Sequence, residues 1–412
     1  MNYNFLTIYI FIFLILTTRQ FHLSYYTELE SKLRQLTMET LTKISSNLYM
    51  INYLNDYYLQ DLLQFNNKEI ADIVKFAYQK FGTEYDFKIQ AFTPGFACSS
   101  FNVFNRENHN LFGRNFDYDF SPSFILWTQP KKGYKSISFI HGGFIGIYDE
   151  TNLIKDRLLL APYAPMDGMN EYGVAVSVLL IENNSTHQIN PDLVDITTTI
   201  IIRGILDTCI NVEEAIKFFN KFNYHDAIEG TNCHFMVTDA KGNSAVIEYI
   251  NNEMKVIKPI GNYSFVTNFY LYFDRISEIK GGLDYRYDIL KENLNDSNVK
   301  MEWNEAMELL NKVHQEITLW SNIYDTRNST VITAFRSDYS ILYEFNLFNP
   351  LKNIIKTLPG PEPEITSDME SSSEEEYNSE IESEKTTTSE TESFASHLKL
   401  SLSFLISISL FL

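Results

Sequence analysis

The feature that most restricts the fold is a series of short apolar runs that begins just after Cys98. Most of the runs are bounded by Gly, Asn or Asp, and many alternate apolar with polar residues, which is typical of β-strands. They read SFNVF, KSISFI, GVAVSVLLI, HFMVTD, SAVIEYI, YSFVTNF, STVITAF and SILYEF. A chain with so many short strands is expected to fold around large β-sheets.

Helical patterns interrupt these strands in four places. Apolar residues recur with helical spacing at Val194–Cys209, Val212–Phe222, Tyr285–Leu294 and Asn304–Ile317. Strands and helices therefore come in alternating groups, which predicts an α+β sandwich of two sheets with helices on their outer faces. We assign this strand-rich body to residues 98–359.

Residues 21–97 precede the body and are predicted to form a helical prosegment. Leucine and isoleucine recur there with helical spacing, at Leu29, Leu33 and Leu36 and then at Leu41, Ile44 and Leu48. This pattern predicts two or three helices. The turn signal Thr93-Pro94-Gly95 then separates the prosegment from Cys98.

Both ends of the chain carry short apolar segments. Phe5–Leu16 reads FLTIYIFIFLIL, which is too short to span a bilayer comfortably and is typical of a signal peptide. We assign the signal peptide to residues 1–20, with an uncleaved anchor as the alternative. Residues 397–412 form a hydrophobic tail after a polar spacer, which predicts a GPI-attachment signal or, alternatively, a tail anchor in the membrane.

Residues 360–396 are predicted to be a disordered acidic stalk. Pro361–Ser393 holds twelve acidic residues and one lysine, and such a segment cannot bury an apolar core. Much of the net charge of −20 is concentrated there. No basic face remains, so we expect no binding of nucleic acid.

Five N-x-[ST] sequons indicate passage through the secretory pathway, at Asn183, Asn184, Asn262, Asn295 and Asn328. We predict a protein that ends at the cell surface or in a lysosome-like acidic vesicle.

Cys98 is the most informative of three cysteines. An odd number of cysteines in a secreted chain indicates a free thiol. Cys209 and Cys233 could pair, or all three thiols could pack as small hydrophobic groups. The cysteines lack the spacing of zinc ligands, and we expect neither a metal nor a cofactor.

A thiol nucleophile needs a base, which is usually a histidine. The candidates are His109, His141, His225 and His234. A cut just before Cys98 would supply another base, because the new α-amino group has a reference pKa of about 7.7–8.0. Arg114 would then stabilise the thiolate, and Asp117 would orient the ammonium group.

The same block carries a resemblance to a known family. CSSFN…GRNFDYDF resembles the opening of the N-terminal-nucleophile linear amide C–N hydrolases, which include choloylglycine hydrolases, penicillin V acylases, acid ceramidase and N-acylethanolamine acid amidase. MDGMNEYG, GTNCHFMVTDAKGNSAVIEY and the pair Thr267-Asn268 continue the resemblance in the same order. It implies an αββα four-layer sandwich of two mainly antiparallel sheets, and activation by autoproteolysis.

The resemblance implies roles for individual residues. Cys98 matches the nucleophile, Arg114 the arginine beside it, and Asp117 the aspartate that holds the α-amino group. Asn268 matches an asparagine of the oxyanion hole, where an N–H donor stabilises the developing charge. Arg327 is similar in placement to a late arginine near the nucleophile.

Other residues of the matching blocks receive structural interpretations. Asp167 and Asn170 are interpreted as turn formers in the pocket wall, and His234 and Glu248 as structural. A second oxyanion asparagine of the bile salt hydrolases falls near Leu180, which is aliphatic here. We expect a backbone N–H to replace it.

The leading hypothesis is a cysteine amidase that hydrolyses linear non-peptide amides through an acyl-thioester on Cys98. The long prosegment resembles that of the acid ceramidase-like branch, which favours a lipid amide as substrate and a prosegment that stays bound after cleavage. Transfer of the acyl group to an amine is one alternative. A non-enzymatic stalked surface glycoprotein is the other.

Overall fold

The computed structural model describes residues 27–83, 98–181, 185–228, 230–259, 263–273, 284–296 and 298–358. The predicted signal peptide, stalk and tail lie outside these residues. The described parts of the predicted prosegment and of the body belong to one compact unit. Within the described residues, no helix combines the length and the apolar character needed to cross a membrane.

Strands dominate the described residues, as the short apolar runs predict. In chain order they are β1 (Thr42–Ser45), β2 (Leu48–Tyr53), β3 (Ser99–Phe104), β4 (Asn110–Asp117), β5 (Ser123–Thr128), β6 (Ser136–His141), β7 (Pro165–Asn170), β8 (Ala175–Ile181), β9 (Val194–Thr197), β10 (Phe222–His225), β11 (Asn232–Thr238), β12 (Ser244–Ile250), β13 (Glu253–Ile257), β14 (Ser264–Val266), β15 (Thr318–Asp325), β16 (Thr330–Phe335), β17 (Asp338–Asn346) and β18 (Asn349–Lys356).

The helices are fewer than the strands. The numbered α-helices are α1 (27–39), α2 (Leu59–Leu62), α3 (Ile70–Phe81), α4 (Thr198–Thr208), α5 (Val212–Phe219), α6 (Tyr285–Leu294) and α7 (Trp303–Lys312). Residues 271–273 are helical as well. Three 3-10 helices cover Gly142–Ile145, Glu150–Asn152 and Lys155–Tyr163.

Two sheets contain most of the strands. The first has nine strands in the order β1-β2-β5-β6-β7-β8-β11-β12-β13, and its β2–β5 pair is parallel while its other pairs are antiparallel. The second has seven antiparallel strands in the order β14-β3-β4-β15-β16-β17-β18. A separate parallel pair joins β9 to β10.

Buried polar side chains join the inner faces of the two sheets. Ser100 of β3 lies 2.9 Å from Ser177 of β8, oxygen to oxygen. Asn110 of β4 donates from Nδ2 to Thr238 Oγ1 of β11 at 2.9 Å. Helices α4 and α5 contact the nine-stranded sheet, and α6 and α7 contact the seven-stranded sheet. The predicted α+β sandwich with helices outside two mainly antiparallel sheets is confirmed.

The prosegment is not wholly helical, and this part of the prediction is wrong. Leu41, Ile44 and Leu48 have helical spacing, but residues 42–53 form the hairpin of β1 and β2. Asn47 turns the chain with a left-handed φ of 61°, a conformation that asparagine tolerates well. Because β2 pairs with β5 of the body, long-range strand pairing overrides the local pattern.

Three predicted helices of the body are shorter than expected. The helix predicted over Val212–Phe222 ends at Phe219, and Phe222 begins β10. Val194–Thr197 forms β9 before α4 begins, since these residues pair with β10. The helix predicted to reach Ile317 ends at Lys312. Helix α6 has the predicted bounds, Tyr285–Leu294.

A buried hydrogen-bond chain joins the prosegment to α4. The Tyr57 hydroxyl donates to Asp207 Oδ2 at 2.5 Å, and Arg203 Nη1 donates to Asp207 Oδ1 at 3.1 Å. All three side chains are almost completely buried. Burial raises the pKa of Asp207 to about 6, although Arg203 and Tyr57 oppose this shift. The prosegment therefore contributes a donor to a charged group inside the body.

Removing that donor should weaken the fold. In Tyr57→Phe, Asp207 loses one of its partners in a buried site, which costs roughly 1–3 kcal/mol of the free energy of unfolding. Urea denaturation compares the variant with wild type and with Tyr78→Phe, a change at an exposed position of α3. Equal stability of all three proteins would contradict the assigned role of Tyr57.

Candidate active site

Cys98 lies directly before β3 and is 2% exposed. Its N–H donates to Asn268 Oδ1, and its carbonyl oxygen accepts a hydrogen bond from Arg286 Nη1 at 2.9 Å. The main chain of Cys98 is thus held on both sides of its Cα atom.

Strand β4 places Arg114 and Asp117 beside Cys98, as the sequence predicts. β4 runs antiparallel to β3, with Ser99 opposite Asn115 and Ser100 opposite Arg114. Burial raises the pKa of the Cys98 thiol, the charge of Arg114 lowers it, and the charge of Asp117 raises it. The net shift is upward, so the uncleaved chain holds a protonated thiol and an additional base is needed to form the thiolate.

Arg114 is completely buried and reaches across to the nine-stranded sheet. Its Nη2 donates to the carbonyl oxygen of Val178 at 2.6 Å, and its Nε lies 3.7 Å from Asp167 Oδ2. Within the described residues, Nε and Nη1 have no hydrogen-bond partner. The guanidinium therefore acts mainly as a buried positive charge near the thiol.

Asp167 is a buried residue of strand β7, so its interpretation as a turn former is wrong. It accepts hydrogen bonds from Trp320 Nε1 at 2.9 Å and from Asn322 Nδ2 at 3.0 Å, and from the Tyr324 hydroxyl. These donors come from the opposite sheet and hold the carboxylate next to Arg114. Asn170 ends β7, and its side chain binds the turn that follows.

Asp117 has one engaged carboxylate oxygen and one that is not hydrogen-bonded. Thr318 Oγ1 donates to Oδ1 at 2.5 Å, whereas Oδ2 has no hydrogen-bond partner within the described residues. Arg286 Nη1 lies 3.6 Å from that second oxygen. Burial raises the pKa of Asp117 to about 7, against the effects of Thr318, Arg286 and Arg114. The free lone pairs of Oδ2 suit a cationic donor nearby.

Asn268 follows β14, which pairs with β3 so that Val266 lies opposite Ser100. Besides the contact with the Cys98 N–H, its Nδ2 donates to the Leu180 carbonyl oxygen at 2.6 Å. Leu180 thus presents a carbonyl oxygen to Asn268, and the replacement of the second asparagine by a backbone N–H stays a prediction.

Arg327 does not belong to this cluster, which corrects the sequence prediction. β15 pairs with β4 so that Thr318 lies opposite Asp117 and Asp325 opposite Leu111. Arg327 follows Asp325 in an exposed turn, at the other end of the strand from Cys98. Seven residues of extended strand span roughly 23 Å.

Arg286 is the arginine that the structure brings to Cys98, and sequence reasoning missed it. It is 5% exposed and also donates from Nη2 to Asn268 Oδ1 at 3.0 Å. Asp284, the N-cap residue of α6, holds the guanidinium at 2.6 Å. A cation in the first turn of a helix is opposed by the helix dipole. An arginine in the first turn of a predicted helix, as in Asp284-Tyr285-Arg286, is therefore a weak sequence signal that the arginine binds a group outside the helix.

An apolar cavity opens beside Cys98. Most of its wall is aliphatic or aromatic, and helix α3 of the prosegment contributes to it as well as the body. Representative wall residues are Ile70, Ile73, Val74, Phe116, Leu160 and Met166. The cavity can hold an apolar group with one end at the thiol.

Neither Cys209 nor Cys233 forms a disulfide, and both are buried, like Cys98. The pairing considered from the sequence is therefore not present. Across the described ranges, no three His, Cys, Asp or Glu side chains are grouped so as to hold a metal ion.

Comparison with known proteins places this geometry in a family. Residues 104–345 match the family described as acyl-coenzyme A:6-aminopenicillanic acid acyl-transferase. The chain belongs to this family. The match covers more than half of the chain, includes Arg114, Asp117, Asn268 and Arg286, and begins six residues after Cys98. Membership confirms the resemblance to N-terminal-nucleophile enzymes that act on linear amides.

Three solved structures are similar to this member of the acyltransferase family. A mutant of the conjugated bile acid hydrolase from Clostridium perfringens is 16% identical, with 64% of this chain and 97% of that chain covered and a TM-score of 0.46. Penicillin V acylase from Agrobacterium tumefaciens is 17% identical, with 61% and 86% covered and a TM-score of 0.42.

The third is the Caenorhabditis elegans ortholog of N-acylethanolamine-hydrolyzing acid amidase. It is 15% identical, with 56% and 93% covered and a TM-score of 0.38. No curated protein matches the sequence significantly.

Mutation can test which of Arg286 and Arg327 belongs to the site of this family member. Arg286→Gln leaves the carboxylate of Asp284 and the carbonyl of Cys98 without their cation in a nearly buried site. We expect a loss of roughly 3–5 kcal/mol in the free energy of unfolding. Arg327→Gln, at an exposed turn, should change it by about 0.5 kcal/mol or less. Guanidinium denaturation at fixed pH measures both, and a larger effect of Arg327→Gln would refute the assignment.

Asp117 should make stability depend on pH. Its pKa of about 7 in the folded chain exceeds the usual value of about 3.9 in an unfolded chain. The folded chain therefore binds more protons than the unfolded chain between about pH 4 and pH 7, and stability falls as pH rises through this window. Urea denaturation of the Cys98→Ala chain at several pH values measures this slope.

Asp117→Asn in the same background should flatten part of that slope. The exposed substitution Asp192→Asn serves as the matched control and should leave the slope unchanged. An unaltered slope in Asp117→Asn would show that this carboxyl group does not titrate in the window.

Proposed function

We propose that the chain is an autoproteolytically activated cysteine amidase that hydrolyses linear N-acyl amides with an apolar acyl group. The observation that carries the proposal is the position of Cys98 at the wall of an apolar cavity, with Asn268 and Arg286 on its main chain. Arg114 and Asp117 lie beside it on β4.

Activation would use the groups that already surround Cys98. The thiol attacks the carbonyl carbon of Ala97, the acyl group moves from nitrogen to sulfur, and the C–N bond breaks. The thiol proton passes to the leaving nitrogen, which becomes the free α-amino group of Cys98. Water then hydrolyses the thioester to the Ala97 carboxylate and the free thiol. Asp117 Oδ2, which has no hydrogen-bond partner within the described residues, is suited to accept a hydrogen bond from the new ammonium group.

Catalysis would then follow the same path on an external amide. The α-amino group takes the thiol proton, and Sγ attacks the substrate carbonyl carbon. The side chain of Asn268 is suited to stabilise the oxyanion once it turns from Leu180. The C–N bond breaks as the amine leaves with the proton, and water hydrolyses the acyl-thioester to the free acid.

The cavity favours lipid amides among the linear amides. Its wall is dominated by aliphatic and aromatic side chains, and each buried methylene contributes about 0.8 kcal/mol. Three further methylenes in the acyl chain should therefore raise kcat/KM by roughly fifty-fold until the cavity is full.

We also propose that the prosegment stays bound after cleavage. Ile70, Ile73 and Val74 of α3 line the cavity, and Tyr57 donates to the buried Asp207. The hairpin β1–β2 extends the nine-stranded sheet. Loss of the prosegment would expose the cavity wall, the Asp207 carboxylate and the edge of the nine-stranded sheet to water.

A secretory location with a C-terminal membrane attachment is a further part of the proposal. The signal peptide, stalk and tail rest on the sequence alone, but Asn295 and Asn328 are exposed, as acceptors of glycans must be.

Acyl transfer to an amine is the second candidate, because the matching family is described as an acyltransferase. The acyl-thioester would be the same, and an amine would take the place of water as acceptor. Product analysis with and without an added amine separates the two functions.

The decisive experiment compares wild type, Cys98→Ala and Cys209→Ala, expressed in a eukaryotic secretory host. Wild type and Cys209→Ala should each give two associated chains, one beginning at Cys98, and should hydrolyse a long-chain N-acyl amide. Cys98→Ala should remain uncleaved and inactive. Intact mass also reports the signal peptide, glycans and C-terminal tail. An Ala97–Cys98 bond that stays intact in mature wild type would overturn the mechanism.

A further inference from the structure

A completely buried histidine and glutamate lie behind the loop that carries Asn268. His234 belongs to β11 and Glu248 to the neighbouring β12, and both side chains are 0% exposed. Neither takes part in the chemistry described above. Burying two titratable groups is costly unless their hydrogen bonds are satisfied.

The two side chains bind residues 267–272, called here the Asn268 loop although its last two residues begin a helix, at three points. His234 Nε2 lies 2.7 Å from the Thr267 carbonyl oxygen, and its Nδ1 lies 3.1 Å from Glu248 Oε1. Glu248 accepts the N–H of Leu271 at 2.8 Å and the N–H of Tyr272 at 3.0 Å, one on each oxygen. The contacts therefore fall on the residue just before Asn268 and on two residues shortly after it.

The hydrogen-bond chemistry fixes the direction of this chain. A carbonyl oxygen can only accept, so His234 Nε2 carries a proton and donates it to Thr267. The Glu248 carboxyl group accepts from two backbone amides, and a single proton lies between it and His234 Nδ1. In a buried site of low dielectric constant, such hydrogen bonds are stronger than they would be in water.

Thr267 depends on this bond for its position. The residue is 0% exposed, and its hydroxyl has no hydrogen-bond partner within the described ranges. The hydrogen bond between the Thr267 carbonyl oxygen and His234 therefore fixes the backbone immediately before Asn268. The side-chain amide group of Asn268 itself is hydrogen-bonded to Cys98, Arg286 and Leu180.

We infer that His234 and Glu248 are positioning residues that fix the backbone around Asn268 and so hold its amide group beside Cys98. The inference rests on the proposed function, in which Asn268 stabilises the oxyanion. A shift of about 1 Å at such a donor is enough to reduce the rate strongly, because stabilisation depends on preorganised geometry.

The first test uses a pair of substitutions at His234. His234→Met keeps a similar volume but removes the donor, and kcat should fall by about tenfold to a hundredfold with KM changed by less than about threefold. His234→Gln keeps one N–H for Thr267 and should recover part of kcat. Met236→Leu, two residues along the same strand, should leave both parameters unchanged.

Glu248→Gln provides the second variant, with Tyr249→Phe on the same strand as its control. A glutamine cannot accept all the hydrogen bonds that Glu248 accepts, so the loop should loosen. Hydrogen exchange at the Leu271 and Tyr272 amides should speed up in Glu248→Gln and not in the control. The rate of Cys98 alkylation in Glu248→Gln, measured by mass mapping, should equal that of wild type. An unchanged rate shows that Asn268 is displaced while the rest of the site stays intact.

The outcomes distinguish this inference from the proposed function. If wild type shows no Cys98-dependent hydrolysis, the proposed function fails, and amide exchange still decides whether Glu248 holds the loop. If wild type is active but His234→Met and Glu248→Gln keep wild-type kcat, the inference fails alone. Unchanged exchange at Leu271 and Tyr272 in Glu248→Gln would also overturn it.

Discussion

The buried guanidinium of Arg114 between the two sheets is the interaction on which the rest of the site depends. Arg114 belongs to the seven-stranded sheet, and it donates to Val178 of the nine-stranded sheet and lies near Asp167. An unpaired buried charge would cost several kcal/mol. The sheets must therefore stay in the register that brings Asp167 to Arg114, and the same register places Cys98 at the edge of the cavity.

The charges around Cys98 and its burial together keep the thiol of the uncleaved chain protonated. Arg114 and Arg286 are balanced by Asp167, Asp284 and the partly protonated Asp117, while burial disfavours the thiolate. A new ammonium group on Cys98 would add a positive charge beside Asp117 and lower its pKa. Cleavage would thus change the protonation of the site as well as expose a base.

Local patterns predicted the fold well because most strands and helices alternate with clear turns. They failed where a partner distant in sequence decides the structure, as in the hairpin β1–β2, which pairs with β5. Likewise, spacing along the chain does not say which end of a strand faces the site. Arg327 lies at the wrong end of β15, while Arg286 reaches Cys98 from the first turn of α6. Asp167 looked like a turn residue because its Gly and Asn neighbours dominate the local pattern.

The wall of the cavity links activation to substrate recognition. Helix α3 precedes the predicted cleavage point and also lines the space beside Cys98, together with strands of the body. The two sides of the wall therefore come from both sides of Cys98 in the chain, and an apolar acyl group would touch both. Cleavage at Cys98 alone would free the α-amino group without removing any wall residue. In the proposed enzyme the prosegment would therefore form part of the binding site, held to the body by its contacts with Asp207 and β5.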